Sequence, residues 1–246
     1  MAYNFYNAYL GIAPDSSQEY WQNGTEQLIT QMQQDSINYF IIKKRNRTTK
    51  VFSDIGANIA DWYNGSIGKN SDDFRKLIFA PGTIQPILGD IYEFQSYRWL
   101  VIGTDNVHSP TISCNVQRCN VQLKFLETTG AVMPTLSGTP LTIDGIVSNR
   151  LVDPVDARYF QLPDDMLMLK VANDTDTRKI KYIGTRFLLG DPVIAYKTIA
   201  IDSITDVRPT VVGTITNLNG ILNIRLKSDV LNAYTDNVAL KVALQY

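Results

Sequence analysis

From Ile91 to Tyr246 the chain shows almost no helical spacing of its apolar residues. Short runs rich in Val, Ile, Thr and Tyr are cut instead by turn formers at Ser109-Pro110, Ser137-Gly138, Asn173-Asp174, Gly190-Asp191-Pro192 and Asn219-Gly220. Apolar residues that recur every second position suit strands, and Gly, Pro, Asn and Asp between such runs reverse the chain. Many short strands separated by closely spaced turns close into sandwiches or small barrels. The expected fold is therefore mainly β. The chain has 246 residues, 44% of them hydrophobic, so it can fill a core and forms one large or two small domains.

A weak internal repeat favours two units. Gly89 opens a strand-rich stretch that reaches Trp99-Leu100-Val101-Ile102-Gly103-Thr104-Asp105. Gly184 opens another that reaches Tyr196-Lys197-Thr198-Ile199-Ala200-Ile201-Asp202. The glycines are offset by 95 residues, and the aromatic and aspartate positions by 97. Further on, Asn120-Val121-Gln122-Leu123-Lys124 is echoed by Asn223-Ile224-Arg225-Leu226-Lys227 at an offset of 103. A slowly growing offset is what two related units with loop insertions produce. In the last pair, Val121 and Leu123, or Ile224 and Leu226, share one face while their polar neighbours take the other, as in a half-buried antiparallel strand. The boundary is expected between Glu127 and Gly138, where Thr, Gly, Pro and Ser cluster. Residues 1–127 would then hold an N-terminal helix and the first β unit, and residues 128–246 the second.

The N-terminal third is read in three pieces. A helix is expected over Ser16–Gln34, with Ser16 and Glu19 as a capping box and Pro14-Asp15 as breakers. Trp21, Leu28 and Met32 fall on one face of it and are candidate interface residues. Asn38–Lys44 reads as a strand, Arg45–Thr49 as a turn and Lys50–Phe52 as the returning strand. The basic run Lys43-Lys44-Arg45-Asn46-Arg47 reads as a solvated hairpin tip. From Gly56 to Gly82 isolated apolar residues are scattered among Asn, Gly, Ser and Asp, which reads as a long irregular insertion with a short helix over Asp72–Phe79. Trp62 and Tyr63, within it, are candidate interface anchors, because Tyr and Trp suit surfaces that are apolar at one end and wet at the other.

Residues suited to catalysis or metal binding are sparse. The one histidine, His108, sits in the turn sequence Val107-His108-Ser109-Pro110 and reads as solvated. A Ser-His-Asp hydrolase or a Cys/His zinc site would have to use it. Ser66 lacks the Gly-x-Ser-x-Gly setting, and neither a Walker loop nor a Gly-x-Gly-x-x-Gly run occurs. Asp72-Asp73, Asp164-Asp165 and Asp174-Thr175-Asp176 read as turn or helix-start residues. The last lacks the Gly and distal Glu of a calcium loop. Cys114 and Cys119, five apart in a strand, would lie roughly 16 Å apart on opposite faces, too far for a disulfide. No enzyme activity and no cofactor are expected. With 23 basic and 24 acidic residues, the chain lacks the positive excess of a strong nucleic-acid binder. Neither a signal peptide nor a membrane-spanning run is read.

Gly89-Asp90-Ile91-Tyr92, then Tyr97-Arg98-Trp99-Leu100-Val101 and Gln117-Arg118-Cys119-Asn120, resemble virion proteins of tailed bacteriophages. So does the ending Leu226-Lys227-Ser228-Asp229-Val230-Leu231-Asn232, with Asp236-Asn237 after it. The resemblance is to neck proteins, the head–tail connectors between portal and tail. It implies a homo-oligomeric ring of small β domains in the virion, assembled in the host cytoplasm, with portal or adaptor and tail proteins as partners. It also implies DNA passing through without sequence-specific binding, and no membrane. The alternatives are a tail or baseplate subunit and a carbohydrate-binding β-sandwich module.

Overall fold

The structure is a computed structural model. It describes residues 17–61, 72–83, 85–105, 112–125, 140–148, 150–152, 159–161, 165–180, 184–205, 220–232 and 236–243. It is mainly β, with one N-terminal helix, α1 (Ser17–Gln34), and two six-stranded barrel-like sheets. The first unit contains β1 (Tyr39–Arg45), β2 (Phe52–Asp61), β3 (Phe74–Phe79), β4 (Ile91–Phe94), β5 (Tyr97–Asp105) and β6 (Ile112–Arg118). These run β1-β2-β3-β6-β5-β4, and the pairs Lys43 with Glu93 and Lys44 with Tyr92 close the barrel. The second unit contains β7 (Val121–Phe125), β8 (Leu141–Ser148), β11 (Met166–Ala172), β12 (Arg186–Leu189), β13 (Ile194–Thr205) and β14 (Ile221–Asp229). A separate hairpin, β9 (Arg150–Val152) with β10 (Tyr159–Gln161), leaves between β8 and β11. The chain crosses from one unit to the other at Cys119-Asn120, between β6 and β7. The expected boundary, Glu127 to Gly138, lies outside the described residues.

The second sheet runs β7-β8-β11-β14-β13-β12, the same walk as the first. The correspondence holds residue by residue. Gly89 N–H donates to the Val101 carbonyl at 2.9 Å, and Gly184 N–H to that of Thr198 at 3.0 Å. Val101 N–H returns to Asp90 at 2.9 Å, and Thr198 N–H to Thr185 at 2.8 Å. The β5–β6 register shifts between Val101 and Gly103, and the β13–β14 register between Thr198 and Ala200, so both units carry the same bulge. The inward pairs match too: Leu77 with Cys114 and Leu169 with Ile224, Tyr92 with Trp99 and Phe187 with Tyr196. The echo between Asn120–Lys124 and Asn223–Lys227 has no such meaning. Those segments are β7 and β14, which hold different places in the walk, and they share only strand alternation.

Each unit has its own core. Ile42, Leu77, Phe79, Tyr92, Trp99 and Val116 fill the first, with Phe94 stacked on Trp99 at 4.7 Å. Leu123, Leu169, Phe187, Ile224 and Leu226 fill the second. At roughly 25 cal/mol per Å2 of buried apolar area, these clusters are the main force holding each unit together. Among the described residues no ladder joins β7 to β12, so the second barrel has a seam. Phe125 meets Phe187 edge-on across it at 5.9 Å, where the first unit has the paired Lys44 and Tyr92. The C-terminal segment fills the seam: Ala243 bridges Phe125 and packs on Leu188 and Ala195.

The expected irregular stretch from Gly56 to Gly82 is largely strand where it is described. Gly56–Asp61 completes β2, and the expected helix over Asp72–Phe79 is β3 from Phe74. The scattered apolar residues are the inner face of a barrel wall: Ala57 and Ile59 in β2, Leu77 and Phe79 in β3, all buried. Burial against neighbouring strands outweighs the poor strand preference of Asn, Gly and Asp.

Gly89 and Gly184 both take left-handed backbone, with φ of 81° and 99°. A Cβ on Gly89 would also lie 2.1 Å from the Gly220 carbonyl oxygen of the second unit, while one on Gly184 would meet nothing within 4 Å. Gly184→Ala is therefore expected to cost only the backbone strain, about 1–2 kcal/mol. Gly89→Ala is expected to cost at least about 3 kcal/mol, because the two units must shift apart. Urea denaturation of the two variants measures the difference.

Candidate functional site

The basic run does not form a solvated tip. Asn46 accepts hydrogen bonds at its side-chain oxygen from the Thr48 and Thr49 N–H groups, both at 2.9 Å, and folds the β1–β2 turn tightly. Lys50 follows with a φ of 61°, which turns the returning strand. This turn presses the cations against the rest of the molecule. Lys44 and Arg47 hold the buried Asp90, at 2.9 and 2.8 Å. Arg45 reaches the second unit, to Asp174 at 2.8 Å and Asp144 at 3.4 Å. Lys50 joins it on Asp174 and contacts Asp176 at 3.4 Å. From β5, Arg98 places one nitrogen 2.7 and 2.6 Å from the two oxygens of Asp144.

The junction between the units thus sets Arg45, Lys50 and Arg98 against Asp144, Asp174 and Asp176. Beside it lies an apolar patch in which Ile91 and Leu100 of the first unit pack with Ile146, Ala172 and Ile221 of the second. The Gly220 N–H donates to the Leu88 carbonyl at 2.9 Å across the same line. A second network lies inside the second unit. Arg186 donates to Asp229 at 2.8 Å, to Asp236 at 2.8 and 3.0 Å and to the Val230 carbonyl at 2.8 Å, which ties the C-terminal segment down.

These acids are saturated with donors. The second oxygen of Asp174 accepts the N–H groups of Asp176 and Thr177 at 3.0 Å, where the short 3-10 turn Thr177–Lys179 begins. Burial alone would raise its pKa, but the Lys50 hydrogen bond, the Thr177 N–H and the charges of Lys50 and Arg45 outweigh burial and hold it below the usual carboxylate range. A carboxylate so occupied suits a lock better than proton transfer. Among the described residues no three His, Cys, Asp or Glu side chains stand together to hold a metal ion. Both cysteines are free; Cys114 lies in the first core, and burial and Asp144 push the Cys119 thiol up to about 12. No described helix is long and apolar enough to cross a membrane.

The expected interface residues separate. Leu28 and Met32 lie on α1, 58% and 66% exposed, while Gln33 turns inward and donates to the Phe79 carbonyl at 3.4 Å. Trp21 belongs to the same helix, but its side chain lies outside the described set, as do Trp62, Tyr63 and His108. Sequence reading missed Ile37, Ile41 and Val51, which are 92%, 62% and 64% exposed and continue from the helix into the first hairpin. Their signal was an apolar residue on the outer side of a strand or turn. An open groove of about 420 Å3 between α1 and Pro81, lined by Glu26, Gln27, Thr30, Gln31 and Gln34, completes this region. Comparison with protein-family models, curated proteins and solved structures found no match for the chain.

Because the folded pKa of Asp174 is depressed, its stabilisation is complete above its unfolded pKa and is lost as pH falls through the folded value. Asp174→Asn is expected to be less stable at neutral pH by about 3 kcal/mol, since it strips Arg45 and Lys50 of a buried partner. The variant should also lose stability less steeply on acidification. Urea midpoints across a pH series test both; parallel acid limbs would count against the assignment.

Proposed function

We propose that this chain is a structural virion protein of a tailed bacteriophage, a subunit of a ring in the neck that joins the portal end of the head to the tail around the DNA passage. The observation that carries this reading is the run of exposed apolar side chains from α1 into the first hairpin: Leu28, Met32, Ile37, Ile41 and Val51. Single exposed apolar residues are ordinary on a monomer, whereas a group of them suits contact with another protein. The two units behind it are joined by buried ion pairs, which suits a part that must hold its shape between neighbours.

The resemblance to neck proteins adds to this. The residues that carry it have structural work here. Asp90 anchors Lys44 and Arg47, Trp99 stacks in the first core, Arg98 crosses to the second unit, and Asp229 and Asp236 hold Arg186. Shared residues of this kind would accompany a fold and its assembly, with no reaction required. The near balance of 23 basic and 24 acidic residues suits a passage along which DNA slides without being gripped.

The test is the mass of the purified chain, alone and beside the other particle components, together with its presence in finished particles. The double variant Leu28→Glu, Met32→Glu is expected to fold with stability within about 1 kcal/mol of the parent, since both sites are exposed. It should fail to enter particles. A chain that is absent from particles, or that turns over a substrate as a solitary monomer, would end this reading.

A further inference from the structure

We infer that copies of this chain join end to end, the apolar outer end of the first unit in one copy seated on the apolar outer end of the second unit in the next; this rests on the assembly reading above and names the two surfaces it uses. Among the described residues, most of the large apolar side chains left exposed fall in two groups. Leu28, Met32, Ile37, Phe40 and Ile41 form one, on α1, the turn after it and the start of β1. Ile194, Val230, Leu231, Val238 and Leu240 form the other, in the second unit. From its fractional exposures each group amounts to roughly 400–600 Å2, the size of the largest apolar patch on an ordinary monomer, and this chain carries two.

The ladders place each group at the end of its own unit that faces away from the junction. β1 reaches the second unit at Arg45, which pairs with Asp144 and Asp174. Tyr39, where β1 begins, lies six residues back along the strand, about 20 Å away. The helix docks at that remote end. Gln33 bonds the carbonyl of Phe79, which follows Ile78, and Ile78 aligns with Asn58 and Tyr39 across the sheet. In the second unit Ile221, the first residue of β14, packs on the first unit. Val230, just past the last residue of β14, lies nine residues on, about 30 Å away. Ala195 pairs with Asp229, so Ile194 opens β13 beside Val230. The inner ends of the two units are occupied by each other, and the outer ends are left apolar and exposed.

The second group is rigidly presented. Buried Arg186 binds Asp229, Asp236 and the Val230 carbonyl, and Asp236 accepts the Asn232 N–H at 2.9 Å. Asn237 and Val242 bond each other at 2.9 and 3.0 Å, and Lys241 donates to the Gly190 carbonyl at 3.1 Å. This network fixes segments whose apolar side chains meet water: Val230 is 82% exposed and Leu240 56%. A surface fixed beforehand loses little freedom when a partner covers it. An unrelated partner would account for one end only. A second copy accounts for both ends with a single contact, and two different faces on each chain are what a heterologous contact needs to continue into a ring or a filament. With a polar rim around it, each face comes near the roughly 800 Å2 per partner of a stable interface.

The experiment measures the mass of the full-length chain against concentration for the parent and two variants. Leu28→Glu with Met32→Glu blocks the first face, and Val230→Glu with Leu240→Glu blocks the second; each is expected to weaken self-association at least about tenfold. The parent should grow past two chains as concentration rises. A one-to-one mixture of the variants should stop at two, because one intact contact can form and both outer faces of that pair are then blocked. Met32→Gln and Leu240→Gln, milder changes at the same faces, should weaken association in the same direction. Parent monomers at every concentration would overturn the proposal. So would either variant associating with itself as the parent does, or a mixture of folded variants that stays monomeric. Should the parent enter particles and both variants enter equally well, these faces fall and the neck reading stands. Should the parent be absent from particles while the mixture stops at two chains, the contact stands and the neck reading falls.

Discussion

The pairing of Arg45, Lys50 and Arg98 with Asp144 and Asp174 determines how the two halves of this protein meet. Each half could bury its own core without the other, because Leu77, Phe79 and Trp99 on one side and Leu169, Phe187 and Ile224 on the other lie wholly within their units. The apolar contact between them is small, and apolar surface is tolerant of rotation and slip. Buried carboxylates are not. An acid withdrawn from water without its cation costs several kcal/mol, so only the docking that satisfies every partner is populated. The Gly89 to Gly220 approach adds a steric condition at the same boundary. Charge and close fit together turn two small barrels into one body with a defined angle.

The topology shared by the two units explains much of what the sequence made legible. Gly89 and Gly184 are themselves under backbone constraint, each with a positive φ. A left-handed residue must open the hairpin, and the bulge after Val101 or Thr198 keeps the ring side chain inward. Constraints of that kind persist when side chains change. The wall strands carry no such marks. β2 reads Phe-Ser-Asp-Ile-Gly-Ala-Asn-Ile-Ala-Asp, and only the buried period of two among Ile55, Ala57 and Ile59 shows it to be a strand. The β4–β5 hairpin turns on Gln95 and Ser96, both with positive φ, where Asn-Gly would have announced it.

The candidate surface was legible only in part. The helix face with Leu28 and Met32 was visible because helical spacing gathers residues that are distant in sequence. Ile41 was hidden inside Tyr39-Phe40-Ile41-Ile42, a run that reads as core throughout; Ile42 is buried and Ile41 is 62% exposed. The basic run was misread for a related reason. Charge along a chain says nothing about which acids fold beside it, and Asp144 and Asp174 lie 99 and 129 residues beyond Arg45.

The unladdered seam of the second barrel sets the two repeats on different footings. A closed ring of strands has no margin from which to peel, whereas among the described residues β7 and β12 each present one, with Ala243 against Phe125, Leu188 and Ala195. Amide protons along those margins would exchange with solvent well before those in the first barrel. The molecule is therefore graded in durability, with one firm barrel closed by strand pairing and a looser one closed by side chains.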